Sequence, residues 1–245
     1  GRVSGWRFAL SDWAKQHRDT VRSTDDAVFA EVCGEIASTG FTAVELWQAL
    51  ADPAVMDIER AKKWRAIADA HGLEVVAYGG YLGTGAEKVC RWLGTNVING
   101  GFGLKPDEAT ALCTQHDVYT NFENHPQSTV DEILSPIGGG NDRLGVCVDT
   151  GWLGTNGADA AQVIHDLGPS LVRWVHIKDV RTPGKHDTCP LGEGIVDIEG
   201  CITALHDIGY DGYLSWEDEP EDRNPLEIAA EMRVWLEQRL AALDS

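Results

Sequence analysis

The sequence predicts an α/β protein folded as a closed (β/α)8 barrel, one domain over residues 1–245. Three observations predict it. Apolar runs of strand length alternate with segments of helical period through eight units of the chain. Four of these runs in the second half end on metal-ligand side chains: Glu123 in VYTNFENHP, Asp149 in LGVCVDTGW, His176 in VRWVHIKDV and Glu217 in GYLSWEDEP. A barrel of this kind collects its site from the C-terminal ends of several strands. The loop after Leu10 has no glycine, whereas an open doubly wound sheet usually places a Gly-rich phosphate loop after its first strand.

The elements follow in order. Trp6 to Leu10 is the first strand, with a polar loop containing Trp13 and His17 behind it. Asp25 and Asp26 lie in the capping region of a helix whose Val28, Val32, Cys33 and Ile36 share one face, and Gly40 ends it. Ala43 to Trp47 is the second strand. A helix from Ile58, with Ala61, Trp64, Ile67 and Ala68 on one face, stops at Gly72 and feeds the strand Leu73 to Tyr78. Gly85 to Leu93 reads as helix, Asn96 to Asn99 as strand, Pro106 to Thr114 as helix with proline in its first turn, and Val118 to Glu123 as strand. The alternation continues with helix Thr129 to Leu134, strand Leu144 to Asp149, helix Ala158 to Leu167, strand Val172 to Lys178, helix Asp197 to Ile208 and strand Tyr213 to Trp216. A last helix from Pro225 carries Ile228, Met232, Trp235, Leu236 and Leu240 as its expected buried stripe. Gly100, Gly101 and Gly103 follow the fourth strand as expected turn residues; their G-G-x-G spacing is weak evidence for phosphate binding.

Composition narrows the partners. With 245 residues, 43% of them hydrophobic, the chain can bury a full core as one domain. A formal charge of −19 disfavours nucleic acid and anionic membrane surfaces. The six cysteines include no C-x-x-C pair and read as buried small hydrophobes in a reducing compartment. The cysteine reading makes the cytoplasm the expected location, and Gly1 to Leu10 lack the basic-then-apolar layout of a signal peptide.

Glu123, Asp149, His176 and Glu217 would converge on the barrel axis, where three carboxylates without a cation would repel one another and take up protons. One divalent ion removes the conflict. The hard, oxygen-rich ligand set suits Mn2+ first, with Mg2+, Co2+ or Zn2+ as alternatives. The alternative for each acid alone is a helix cap or a solvated side chain.

The motifs E-N-H at Glu123 to His125, V-D-T-G at Val148 to Gly151, H-I-K-D at His176 to Asp179 and L-G-E-G-I-V-D at Leu191 to Asp197 resemble the xylose isomerase-like TIM barrel family. That family takes in sugar-phosphate isomerases and epimerases, ketose 3-epimerases and inosose dehydratases. The resemblance implies that the same four residues bind the metal and that Glu123 and Glu217 form the acid/base pair. It also marks a departure. Where epimerases and many dehydratases of the family have D-T-G-H, this chain has D-T-G-W, with Trp152 in place of a polar imidazole.

Other candidates surround this set. Glu45, at the end of the second strand, is expected either to bind substrate hydroxyls or to form a plain ion pair. His125 lies two residues beyond Glu123 and so points the same way if the strand persists, which makes it an expected contact of the substrate or of a metal ligand. Lys178, two beyond His176, either holds a substrate oxygen or anionic group, or balances Asp149 or Glu217. Trp152 either stacks on a sugar ring or packs in the core. Trp13, with Trp47 and Tyr81, would form an aromatic wall. Arg181, Lys185 and His186, after the seventh strand, read as solvated loop charge.

The leading expectation is a metal-dependent isomerase or epimerase of a ketose, cyclitol or related small polyol, acting by proton abstraction next to a carbonyl. An inosose-type dehydratase shares that first step and is the second reading. A noncatalytic sugar-binding barrel is the third. The expected partner is a small sugar or polyol, with self-association left open.

Overall fold

A computed structural model describes residues 7–10, 25–220, 223–243 and 245; Trp6, Trp13 and His17 lie outside the described residues. In chain order the elements begin with β1 (Arg7–Leu10), α1 (Asp26–Ser38), β2 (Ala43–Trp47), α2 (Ile58–Ala70), β3 (Glu74–Leu82), α3 (Ala86–Trp92) and β4 (Val97–Phe102). Next come α4 (Pro106–His116), β5 (Tyr119–Glu123), α5 (Val130–Leu134), β6 (Leu144–Asp149), α6 (Thr150–Thr155) and α7 (Ala160–Leu167). The chain finishes with β7 (Val172–Ile177), β8 (Asp179–Val180), β9 (Thr188–Cys189), α8 (Ile198–Asp207), β10 (Tyr213–Trp216) and α9 (Leu226–Leu243). Parallel strands close into a barrel in the order β1-β10-β7-β6-β5-β4-β3-β2, and β8 and β9 form a separate antiparallel hairpin above it.

Short polar side chains start the helices where the sequence puts them. Asp25 Oδ1 accepts from Val28 N at 2.9 Å, and Asp57 Oδ1 from Arg60 N at 2.8 Å. Thr129 and Glu132 close a capping box on α5. Asp26 reaches across to α2, pairing with Arg60 and Lys63 and accepting from Trp64 Nε1 at 2.7 Å.

Alternation along each strand separates two environments. Val44 and Leu46, Val146 and Val148, Val175 and Ile177, and Leu214 and Trp216 belong to the large core beneath the helices. Residues of opposite parity on these strands, Ala43, Cys147, Trp174 and Tyr213, join Val76 and Ala77 in a small second cluster. Above that cluster the same inward positions become polar: Glu45, Asn99, Asn121, Asp149, His176 and Ser215, all buried.

The structure corrects several details. Strand β3 runs beyond Tyr78 to Leu82, and β4 continues through Gly100 and Gly101 to Phe102, so those glycines lie within a strand and not in a turn after it. A Cβ at Gly100, whose φ is +155°, would lie 2.1 Å from Gly80 O on the adjacent strand, which accounts for the glycine by close backbone approach. In α9 the fully buried positions are Leu226, Ala229, Met232 and Leu236; Ile228, Trp235 and Leu240 pack at the edge of the core. Trp235 shares its face with the Arg239 guanidinium, 4.3 Å from the ring centroid. The helix α6 and the β8–β9 hairpin were not anticipated. All six cysteines are buried and free. Among the described residues no helix is long and apolar enough to cross a membrane.

Candidate active site

Strand ends build the site. Asp149, the last residue of β6, pairs in register with His176 on β7, which pairs in turn with Ser215 on β10. Glu123 ends β5, and Glu217 follows directly on β10. One ligand atom from each of Glu123, Asp149, His176 and Glu217 can be chosen so that all lie within 4.8 Å of one another. Glu123, His176 and Glu217 form part of the wall of a cavity of about 470 Å³, together with Trp47, Tyr81, His125 and Trp152, and Asp149 is fully buried behind it.

Asp149 divides its two oxygens between structure and site. Oδ1 caps α6 by accepting from Trp152 N at 2.8 Å, while Oδ2 lies buried without a hydrogen bond, as does Glu217 Oε2. Both oxygens do sit in ion-pair range of Lys178 Nζ, at 3.0 and 2.8 Å, but without hydrogen-bonding angles. Lys178 hydrogen-bonds instead to Glu219 Oε2 at 3.0 Å. Its stem passes over Gly151, where a Cβ would lie 2.6 Å from Lys178 Cγ and Cδ, so only glycine admits this route. Lys178 is therefore the charge-balancing partner of Asp149 and Glu217, with Glu219 as a third carboxylate.

The electrostatics follow from this crowding. Five carboxylates, those of Glu45, Glu123, Asp149, Glu217 and Glu219, crowd around Lys178 and His176, with His186 against Glu219 and His125 3.9 Å from Glu123. Burial would raise Asp149, yet Lys178 and His176 outweigh it and hold the carboxyl low. Lys178 itself holds Glu219 low against burial. Glu217 is the group left over: burial, with Glu219 and Glu123 adding to it, pushes it up to about 8 in spite of Lys178 and His176. Burial would lower both His176 and Lys178, but their acidic neighbours hold them well above their usual values. An excess of buried carboxylate charge, with two carboxylate oxygens lacking hydrogen bonds, fits a divalent cation. A cation held by these four residues would oppose the rise at Glu217.

The remaining candidates fall in distinct places. Glu45 is only 2% exposed; its carboxylate accepts from Asn99 Nδ2, Trp174 Nε1 and Ser215 Oγ and lies 2.9 Å from His176 Nε2. It thus lies beneath the four ligands with its oxygens occupied. His125 packs against Trp152, ring centroids 5.5 Å apart. Trp152 also stacks on His186, with ring centroids 3.8 Å apart and planes 7° from parallel. His186 is consequently not solvated loop charge: Nδ1 lies 3.3 Å from Thr155 Oγ1 and Nε2 3.3 Å from Glu219 Oε2. Trp13 lies outside the described residues. The turn that follows the hairpin carrying His186 is gathered by Asp179, whose carboxylate accepts backbone N–H groups from Val180, Gly192, Gly194 and Val196. That knot explains why H-I-K-D and L-G-E-G-I-V-D occur together.

Sequence reasoning missed Glu219, Asn99, Trp174 and Ser215. A period of two was the available signal. Glu219 stands two residues after Glu217 as Lys178 stands two after His176, and Trp174 and Ser215 occupy inward positions of their strands.

A family model described as xylose isomerase-like TIM barrel matches residues 33–239. Over 71 residues the chain is 41% identical to L-ribulose-5-phosphate 3-epimerase UlaE of Salmonella paratyphi C (strain RKS4594). That stretch is 28% of this chain and 24% of the relative, so the chain spans about a quarter of the length of that curated protein. A solved L-ribulose 3-epimerase superposes with a TM-score of 0.73 at 19% identity, covering 96% of this chain and 95% of that one. A protein described as a probable 3-DHS dehydratase, AsbF from Bacillus anthracis, superposes with a TM-score of 0.68 at 19% identity, covering 94% and 98%. At such identities the likeness is one of fold.

Proposed function

The chain belongs to the xylose isomerase-like TIM barrel family, and from that membership and the site geometry we propose that it is a divalent-metal-dependent isomerase or epimerase of a ketose, cyclitol or related small polyol. The observation that carries the reading is the convergence of Glu123, Asp149, His176 and Glu217 within 4.8 Å, three of them (Glu123, His176 and Glu217) at the wall of a sugar-sized cavity. These four residues would hold the ion, Mn2+ by preference for this ligand set. When bound, it supplies the polarisation of a carbonyl and its neighbouring hydroxyl that makes the adjacent C–H acidic.

The protein's own groups supply the rest. One of Glu123 and Glu217 accepts the proton beside the carbonyl, and the other returns a proton from the opposite face, inverting the centre; return to the neighbouring carbon would instead isomerise. Lys178 keeps Asp149 and Glu219 ionised alongside. Trp47, Tyr81 and Trp152 offer apolar faces to a sugar ring. A small-molecule substrate and, from the six free buried cysteines, a reducing cytoplasmic setting complete the proposal.

Dehydration of a keto-polyol starts from the same abstraction, and the product separates the two reactions. The test is incubation of Mn2+-loaded protein with a panel of ketoses and inososes in deuterated water. Deuterium should enter the carbon beside the carbonyl, and Glu123→Gln and Glu217→Gln should each slow exchange by ~100-fold or more on general-base magnitudes. Conversion of a substrate without exchange would reduce both glutamates to metal ligands; loss of water from the product would assign the dehydratase reaction.

A further inference from the structure

We propose that Glu45 is a positioning residue that fixes which nitrogen of His176 is offered to the divalent cation, and thereby sets the affinity of the site. The proposal rests on the metal reading above. A neutral imidazole carries one proton, and the nitrogen that keeps it cannot ligate. His176 Nδ1 faces the ligand cluster, 2.7 Å from Glu123 Oε1 and 3.5 Å from Glu217 Oε2. Nε2 faces the other way, 2.9 and 3.0 Å from the two oxygens of Glu45.

The surroundings of Glu45 decide the tautomer. Trp174 Nε1 at 3.1 Å and Ser215 Oγ at 2.8 Å donate to Oε2, and Asn99 Nδ2 at 3.0 Å donates to Oε1. An indole nitrogen can only donate, and an ionised carboxylate can only accept. Glu45 therefore accepts from His176 as well, which keeps a proton on Nε2, so that Nδ1, on the side of Glu123 and Glu217, is the nitrogen left to meet a cation.

The orientation propagates down the barrel axis. Asn99 turns its amide nitrogen to Glu45, so its Oδ1 accepts from Asn121 Nδ2 at 3.0 Å. Asn121 Oδ1 is then left buried without a hydrogen-bond partner. A column in which every donor points up to one carboxylate must finish on a surplus acceptor, and Asn121 is where it finishes. Its unsatisfied oxygen is a cost of the arrangement that packing alone does not explain. Second-layer carboxylates that orient a ligating histidine commonly set metal affinity.

The test measures Mn2+ binding to the full chain by calorimetry, with folding checked by thermal melts. In Glu45→Gln the new amide NH2 meets donors on every side; moving the His176 proton to Nδ1 relieves the conflict and spoils the ligand. Mn2+ affinity should fall ~10–100-fold, the usual range for an outer partner of a ligating histidine. Adding Asn99→Asp places a carboxylate where it can accept both from that amide and from Asn121, which should return the proton to Nε2 and recover most of the loss. Wild-type affinity in Glu45→Gln overturns the proposal, and so does a loss that Asn99→Asp fails to recover, since that is the mark of simple structural damage. Should Glu45→Gln not fold, Ser215→Ala removes one holder of the carboxylate and should lower affinity several-fold; unchanged affinity there overturns the proposal equally. Wild-type protein that takes up no Mn2+ overturns the metal reading itself, and this proposal with it.

Discussion

Alternate residues of the same strands enter two interiors that obey different rules. Outside the barrel, Val146, Val148, Val175, Ile177, Leu214 and Trp216 pack against helices in a continuous apolar core. Inside, Trp174 and Tyr213 stack at 5.0 Å over a narrow apolar floor, and directly above them Glu45, Asn99, Asn121, His176 and Ser215 form a buried polar column. The outer region is stabilised by area removed from water and tolerates imprecision by a methyl group or so. The inner region holds charges away from water and depends on each partner being present. Stability should therefore reside mainly outside, and cation affinity inside.

Cutting the outer core tests this division most severely. Trp64 is fully buried, stacked on Phe29 at 4.0 Å. Trp64→Ala should lower unfolding free energy by about 3–5 kcal/mol, while the Mn2+ affinity of the protein that remains folded stays as in wild type. Denaturant melts and calorimetry on one sample measure both; a matching collapse in affinity would show that the two interiors are not separable.

Lys178→Met attacks the inner region. It takes the ammonium from among Asp149, Glu217 and Glu219 and leaves buried carboxylates facing one another. Breaking such a pair costs about 3 kcal/mol at the lower end of measured values, so the metal-free melt should fall. Added Mn2+ should raise the variant's melting temperature more than it raises that of wild type. An equal rise in both would mean that Lys178 and the cation do not answer the same charge excess.

pH separates the regions more gently. His176 and its neighbours outweigh burial and hold Glu45 below its usual 4.5, so its contribution to stability is complete above that value and is lost as pH falls through the lower folded-state value. His176 is held well above 6.5, so its contribution is complete below 6.5 and is lost as pH rises through the raised value. The charged pair thus operates between those limits. Glu45→Gln should flatten the acid side of the stability profile relative to wild type; an unchanged acid limb would assign that limb to other carboxylates.

Trp152→Ala should have the smallest effect on the fold. Losing the stack on His186 costs about 0.5–1.5 kcal/mol beyond area burial, and the half-buried ring is not part of the main core. A raised Michaelis constant with a near-native melt would place the ring against substrate. A large drop in the melt would assign it to packing.

The sequence carried the outer interior almost whole. Strands β2, β6 and β10 begin and end where alternation and turn residues put them, and Asp25, Asp57 and Thr129 cap helices, because these features depend on residues within a turn or two of each other. Glu123, Asp149, His176 and Glu217 were legible too, since a ligand-type residue at a strand end is a local pattern and barrel closure brings strand ends together. Trp152 was visible as a departure from a motif, but its contacts with His125 and His186 were not.

The tertiary structure alone decided who partners whom across the axis. Glu45 meets Ser215 at a separation of 170 residues and His176 at 131, and no local pattern encodes such contacts. His186 read as solvated charge because its loop is polar, yet Asp179 gathers the following turn and the hairpin swings the imidazole onto Trp152. Periodicity states which way a side chain points; the donors and acceptors it finds there depend on the closed ring of strands, in which residues distant in sequence become the nearest neighbours.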